Sequence, residues 1–190
     1  MFVAAAQAFR EWDALARAWV VVHRHPALDG VMWTLSAASR GGMIWLFVDA
    51  LIAWRRARWR DFAALVLAVL LATIVADYAL KPAFDRVRPF VASPAVLVIG
   101  GRPHDASFPS GHAANAFASA LILSTTVPRG RIVWWPLAAA IAYSRIYLGV
   151  HYPLDVIGGA FVGLVCAAFV VAVRAIPSRL KRSSRELTKS

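Results

Sequence analysis

Long apolar runs separated by short basic or polar segments dominate the chain. A helix that crosses the hydrocarbon core of a bilayer needs roughly 20 mainly apolar residues. The runs without any charged residue cover residues 62–76, 113–128, 132–144 and 156–173. Because they approach the required length once their interfacial ends are counted, the pattern predicts membrane-spanning helices.

Glycine, proline and charged residues divide these runs into five predicted spanning helices. The paired glycines Gly41 and Gly42 are expected to interrupt a helical stretch that starts at Pro26, so its spanning part begins near Gly42. Asp61 is well placed to cap the second helix. The predicted spans are residues 42–54, 61–81, 110–127, 132–147 and 153–175. The predicted fold class is an all-α polytopic membrane bundle.

The first 25 residues mix charged side chains with large apolar ones. This amphipathic pattern is too charged for a span and predicts a helix lying at the membrane interface. If residues 1–25 span instead, the bundle has six spanning helices and the N-terminus is cytoplasmic.

Composition agrees with a membrane protein. Of the 190 residues 60% are hydrophobic and 16% charged, and the mean hydropathy is +0.61, whereas soluble domains have about a quarter charged residues. The net charge of +11 comes from basic residues beside apolar segments, which favours membrane topology and anionic headgroups over nucleic acid. The single cysteine, Cys166, cannot form an intramolecular disulfide.

The basic residues also predict an orientation in the cell membrane. Arginines follow the first and third predicted spans, and basic residues fill the tail, residues 177–190. These segments lie on one side if five helices span, and the positive-inside rule makes that side cytoplasmic. Residues 1–176 are then one membrane domain followed by a basic cytoplasmic tail. The long polar loop, residues 82–111, and the segment 144–155 face outward.

Three outward-facing segments carry a polar set suited to a phosphoryl group. The cations Lys81, Arg88 and Arg145 neutralise phosphate oxygens and the charge that develops in the transition state. Ser110 and Gly111 stand at a predicted helix start, where free N–H groups and the helix dipole favour an anion. A basic residue beside a membrane helix is usually an anchor; the joint occurrence of all three segments indicates a site.

Two histidines complete this set. His151 has Asp155 one helical turn away, which can hold one ring nitrogen and leave the other free for attack on phosphorus. His112, at another helix start, suits a general acid that protonates the leaving oxygen and then acts as a general base.

The segments resemble the three motifs of the type 2 phosphatidic acid phosphatase (PAP2) superfamily over about residues 77–159. They read Lys81…Arg88-Pro89, Pro109-Ser110-Gly111-His112 and Ser144-Arg145…His151…Asp155, and every motif position matches. The resemblance implies a phosphatase without metal or other cofactor and with a phosphohistidine on His151. It also implies that His112 activates water, that Asp155 orients His151, and that Lys81, Arg88, Ser110, Gly111, His112 and Arg145 hold the phosphate.

Residues near the motifs have less defined roles. Asp77 lies four positions before Lys81, as a helix-end ion pair or as the group that orients this lysine. Asn115 follows His112 by one turn and is a candidate supporting residue. The outer-loop residues are either solvated or in contact with a second phosphate or headgroup; they are Arg86, Arg102, His104 and Asp105.

The leading functional hypothesis is dephosphorylation of a lipid phosphate or diphosphate at the outer face of the cell membrane. The chain resembles small bacterial undecaprenyl-diphosphate phosphatases, and phosphatidylglycerophosphate and phosphatidic acid are the alternative substrates. A membrane transporter is the alternative of another class, and it would have charged residues in the middle of its helices. Here nearly all charged residues lie at helix ends, and Asp49 is the exception. The vanadium haloperoxidase branch shares the motifs, but its members are larger and soluble.

Overall fold

The chain is helical throughout the part that the structure describes. The computed structural model covers residues 2–187, with side chains for residues 7–175, and shows no β-strand in that range. The helices are α1 (Phe2–Val22), α2 (Pro26–Ala38), α3 (Met43–Arg56), α4 (Trp59–Thr73), α5 (Lys81–Phe84), α6 (Pro89–Ala92), α7 (Gly111–Thr126), α8 (Arg131–Tyr147) and α9 (Pro153–Leu187).

Helix α7 forms the centre of the bundle and packs against α4, α8 and α9. Its buried face is rich in alanine, and α9 meets it with glycines. A Cβ on Gly163 would lie 2.1 Å from the carbonyl oxygen of Ala114, and one on Gly159 would lie 2.3 Å from that of Ser110. Small residues allow helix backbones to approach closely in membranes. This close packing fixes the start of α7 against the start of α9.

A π-helical segment, Ile74–Leu80, joins α4 to α5 and contains Asp77. Such segments change the direction of side chains within a helix and are frequent at functional sites. Here the carboxylate of Asp77 lies over Gly111: a Cβ on Gly111 would be 2.6 Å from Asp77 Oδ1. Glycine is therefore the residue that fits at this first position of α7.

The predicted break at the paired glycines is confirmed. Gly41 and Gly42 have positive φ angles of 56° and 77°, which glycine adopts without steric cost. They lie in a 3₁₀ turn, Arg40–Gly42, and the helical arms on either side meet at 56°. The bend places Arg40 beside the site described below.

The all-α membrane bundle is confirmed, whereas the count of five spans stays a prediction. In the described chain, two segments are long and apolar enough to cross a membrane, Trp59–Ala92 and Pro153–Ala175. A third qualifies if the bent pair Pro26–Ala38 and Arg40–Arg56 forms one span. Helices α7 and α8 have 16 and 17 residues, which is short for a straight span.

Local details differ from the sequence-based expectations. The segment predicted as a loop, residues 82–111, contains most of α5 and all of α6, each with proline in its first turn, where proline is favoured. Helix α4 begins before Asp61, which forms an ion pair of 2.7 Å with Arg58 instead of capping the helix.

The C-terminal helix is longer than expected. Helix α9 continues to Leu187, beyond the predicted end near residue 175. Side chains after residue 175 and the last three residues lie outside the described part. The cytoplasmic tail and the domain boundary at residue 176 therefore stay predictions.

Candidate active site

The three polar segments meet around one cavity of about 230 Å³. Its lining comes from the turn between α2 and α3, the α4–α5 region, the long loop, α7, α8 and His151, two residues before α9. From the predicted set it contains Lys81, Arg88, Gly111, His112, Arg145 and His151, with Asp77 and Asn115 beside them. Two predicted residues, Ser110 and Asp155, are buried behind this wall.

His151 is buried, with 2% of its surface exposed, and its two ring nitrogens have different neighbours. Nδ1 lies 3.4 Å from Asp155 Oδ2, while Nε2 lies 3.4 Å from Arg88 Nη1. Both distances exceed the length of an ordinary hydrogen bond, as is common for catalytic contacts when no substrate is bound. When Nδ1 carries the proton and points it at Asp155, Nε2 keeps a lone pair on the side of the ring that faces the cavity.

Burial is the main cause that lowers the pKa of His151, to about 4. The contact with Asp155 raises the pKa, and the charges of Arg88 and Arg145 lower it again. The imidazole is therefore neutral at pH 7. A neutral imidazole has the lone pair that a nucleophile needs.

The carboxylate of Asp155 is held by neutral and charged donors. Oδ2 accepts hydrogen bonds from Ser107 Oγ at 2.6 Å and from the Tyr152 backbone N–H at 2.9 Å. Oδ1 accepts one from Arg86 Nη1 at 2.6 Å. These bonds fix the carboxylate in a fully buried position. Sequence reasoning missed Ser107, because a serine in a long loop gives no signal of its contact.

Arg86 links Asp155 to the N-terminal helix. Its Nη2 donates to Asp13 Oδ2 at 2.5 Å, and its guanidinium lies over the Tyr152 ring at 4.2 Å. Asp13 also accepts from the Leu154 backbone N–H at 2.8 Å and is fully buried. Arg86 is thus engaged by two carboxylates. The interpretation of Arg86 as a freely solvated residue is therefore wrong, whereas a contact with a second phosphate stays a prediction.

Lys81 and Arg88 share the carboxylate of Asp105. Lys81 Nζ pairs with Asp105 and, at 2.6 Å, with Asp77, and Arg88 Nη2 pairs with Asp105 at 2.8 Å. Burial tends to raise the pKa of Asp105, but the hydrogen bond from Lys81 and the charges of Lys81 and Arg88 lower it to about 2. Asp105 therefore lines the cavity, and its side chain, 51% exposed, is also in contact with solvent as expected for a loop residue.

At the start of α7 the cavity is lined by Gly111 and not by the side chain of Ser110. Ser110 Oγ accepts from the Ala113 N–H at 3.5 Å as the N-cap, and the Ser110 N–H donates to the Asp155 carbonyl at 2.9 Å. Phosphate binding by the Ser110 hydroxyl stays a prediction, and its observed contact is the helix cap.

His112 and Arg145 form the opposite side of the cavity. Arg145 is 7% exposed and donates from Nη1 to Ser36 Oγ, while its Nε has no hydrogen-bond partner within the described chain. No carboxylate of residues 7–175 forms an ion pair with His112. Asn115 Oδ1 accepts from Thr73 Oγ1 at 3.1 Å and supports this wall. Ser36 was not predicted, because it lies far from the motifs.

A second cavity of about 370 Å³ adjoins the first. Four residues line both cavities, namely Arg40, Pro103, His112 and Arg145. Arg102 lines only the second cavity. His104 is exposed and lines neither, so its interpretation as a solvated residue fits the structure. No group of three or more metal-ligating side chains occurs in the described residues.

The arrangement combines a neutral imidazole, a second imidazole and four cations around one space. Such a set can bind a phosphate, neutralise the charge of its transition state and supply both a nucleophile and an acid. The carboxylates of Asp77 and Asp105 balance part of this charge.

Comparisons with known proteins agree with this geometry. The family model described as PAP2 superfamily matches residues 61–177. A lipid A 4'-phosphatase from Porphyromonas gingivalis is 33% identical over 165 residues, which is 79% of this chain and 67% of that protein. An undecaprenyl-diphosphatase from Sulfolobus acidocaldarius is 33% identical over 141 residues, or 72% of this chain and 66% of that protein.

A solved structure gives the same assignment. The transmembrane PAP2-type phosphatidylglycerolphosphate phosphatase from Bacillus subtilis superposes with a TM-score of 0.71 at 26% identity, covering 88% of this chain and 86% of that one. The chain spans about two thirds of the length of the two relatives above. On the family match, the shared fold and the intact motifs, the chain belongs to the PAP2 superfamily.

Proposed function

We propose that this protein is a membrane lipid phosphatase that works through a phosphohistidine on His151. The observation that carries the proposal is the orientation of this imidazole. Its Nδ1 faces a carboxylate, and its Nε2 is adjacent to Arg88 at the wall of a cation-lined cavity. The named relatives act as phosphatases on several lipids, which supports the class of reaction.

In the first step the Nε2 lone pair of His151 attacks the phosphorus and forms an N–P bond. The bond between phosphorus and the leaving oxygen breaks, and that oxygen keeps the electron pair and takes a proton from His112. Lys81, Arg88 and Arg145 neutralise the transferring group. Asp155 stabilises the imidazolium character that develops on His151.

In the second step His112 accepts a proton from water, and the resulting hydroxide attacks phosphorus. The N–P bond breaks, its electrons return to His151, and inorganic phosphate leaves. His112 faces cations and no paired carboxylate in the described chain. The negative charge of the bound substrate therefore supports its protonated form before the first step.

Undecaprenyl diphosphate is the leading substrate, and phosphatidylglycerophosphate and phosphatidic acid are the alternatives. The undecaprenyl-diphosphatase relative supports the first, and the Bacillus subtilis structure supports the second. The lipid A 4'-phosphatase relative adds a fourth kind of phosphorylated lipid. All share a phosphate at the membrane surface, which the motif residues bind without reading the lipid.

We place this site on the extracytoplasmic face of the cell membrane. The support is the distribution of arginines, which follow α3 and α7 at the end of the bundle away from the site. A cysteine introduced at exposed position Asp85 should react with an impermeant maleimide in intact cells. Labelling only after permeabilisation would contradict this orientation.

Phosphate release from purified enzyme in detergent tests the reaction. Wild-type protein should release phosphate from at least one of undecaprenyl diphosphate, phosphatidylglycerophosphate and phosphatidic acid in the presence of chelator. His151→Gln should lower the rate by at least about a thousandfold, since the nucleophile is lost. Equal rates for the two proteins would contradict the mechanism.

A further inference from the structure

The second cavity lies where the leaving group must go. His151 lines only the first cavity, whereas His112 lines both. In a displacement on phosphorus the nucleophile and the leaving oxygen are roughly in line, and His112 is the group proposed to protonate that oxygen. The part of the substrate beyond the broken bond therefore extends past His112 into the second cavity.

The charge of this second cavity is unbalanced. Its lining includes Arg40, Arg102 and Arg145 and contains no aspartate or glutamate. Neither Arg40 nor Arg102 forms an ion pair or side-chain hydrogen bond within the described residues. Lys81 and Arg88 in the first cavity, by contrast, are paired with Asp105. Like charges gathered without counterions favour an anionic occupant.

Most of the remaining lining is apolar or aromatic. Trp33, Ile99, Leu148 and Val150 contribute to it, and the guanidinium of Arg102 lies 5.8 Å from the centre of the Phe90 ring. This contact holds Arg102 near the cavity without neutralising its charge. A site lined by both cations and apolar side chains suits the junction of a phosphate with a hydrocarbon chain.

We propose that the second cavity binds a second phosphate, the one retained on the lipid, and so selects diphosphate substrates. This inference rests on the proposed function and names its substrate class. His151 attacks the distal phosphorus, and the bond from that phosphorus to the bridging oxygen breaks. The bridging oxygen keeps the electron pair, takes the His112 proton and stays on the lipid monophosphate beside Arg40 and Arg102.

Farnesyl diphosphate and farnesyl phosphate test the proposal, because they differ by one phosphate on the same chain. The measured quantity is the ratio of kcat/KM for the diphosphate to that for the monophosphate. In Arg102→Gln the ratio should fall about tenfold, the size expected for losing a charged hydrogen bond. Arg102→Lys should recover much of the ratio. Arg129→Gln, an exposed arginine at another end of the bundle, is the matched control.

An inhibition assay covers the case in which Arg102→Gln turns over poorly. Inorganic pyrophosphate should inhibit the wild-type enzyme more strongly than inorganic phosphate, and Arg102→Gln should lose this difference. An unchanged ratio in Arg102→Gln and Arg40→Gln, or an equal fall in Arg129→Gln, overturns the second subsite. The assignment of the second subsite to a diphosphate is overturned if Arg102→Gln keeps the farnesyl ratio and lowers only the ratio of kcat/KM for phosphatidylglycerophosphate to that for phosphatidic acid. Failure of the proposed function has another signature: no phosphate release from either farnesyl substrate, or full activity of His151→Gln.

Discussion

The two histidines of the site stand in opposite surroundings. Behind His151, Asp155 is held by Ser107, Arg86 and the Tyr152 backbone, and Arg86 is held in turn by Asp13. Around His112 the charged neighbours include Arg145 and Lys81, the Ser36 backbone is a hydrogen-bond partner, and no carboxylate of the described chain forms an ion pair with it. One half of the site is neutralised before substrate binds, and the other half has an excess of positive charge.

This difference matches two chemical tasks. A nucleophile must be neutral and aimed correctly at the start, so fixed hydrogen bonds behind it are useful. An acid next to cations loses its proton easily, so it needs the negative charge of the substrate to hold that proton. In the proposed mechanism the substrate thus completes the His112 half, while the protein itself completes the His151 half.

The largest effect should come from the carboxylate that faces His151. Asp155→Asn preserves the shape but removes the charge that stabilises the imidazolium form and favours the Nδ1 proton. The expected loss is about a thousandfold in kcat, by analogy with the acid of a serine-hydrolase triad. Steady-state turnover measures it, with exposed Asp85→Asn as the control. A loss no greater than in the control would show that Asp155 does not assist His151.

A smaller effect is expected one step further back, on α1. Asp13→Asn removes one of the two carboxylates that hold Arg86, so Asp155 is positioned less well. We expect kcat to fall about tenfold with little change in KM, as for groups that orient a reacting residue from behind. Glu11→Gln, on the exposed side of the same helix, should have no such effect. A change in KM alone would instead place Asp13 in substrate binding.

The smallest effect concerns pH. Because the pKa of His151 is lowered to about 4, the neutral nucleophile is present above that pH and is lost only as pH falls through it. The groups that set this value besides burial are Arg88, Arg145 and Asp155. After correction for substrate ionisation, kcat/KM should fall by less than about twofold between pH 7 and 5.5, and protonation of the acid His112 can only raise it over this interval. A histidine with the ordinary pKa would lose about eightfold over that interval.

Much of the bundle and most of the site could be predicted because their signals are local in sequence. The apolar runs, the Gly41-Gly42 break and the spacing of His151 and Asp155 are each visible within a short stretch of the sequence. The i,i+4 pairing of Asp77 with Lys81 is also of this kind and is observed.

The missed contacts join residues far apart in the chain. Asp13 accepts from Leu154, 141 positions away, and Arg145 donates to Ser36, 109 positions away. No local pattern reports such contacts, because they depend on how α1 and α2 dock on α8 and α9. The pairing of Arg86 is of the same kind, because its partners Asp13 and Asp155 come from α1 and α9.

The most direct test of the account is to trap the phosphoenzyme. Lipid substrate labelled with ³²P at the transferred phosphate is mixed with His112→Asn protein, in which hydrolysis of the intermediate should be slow, and quenched in alkali. The account predicts an acid-labile, alkali-stable label on the peptide containing His151, absent when His151→Gln is added to the same variant. Label on another residue, or equal labelling without His151, would contradict the phosphohistidine mechanism.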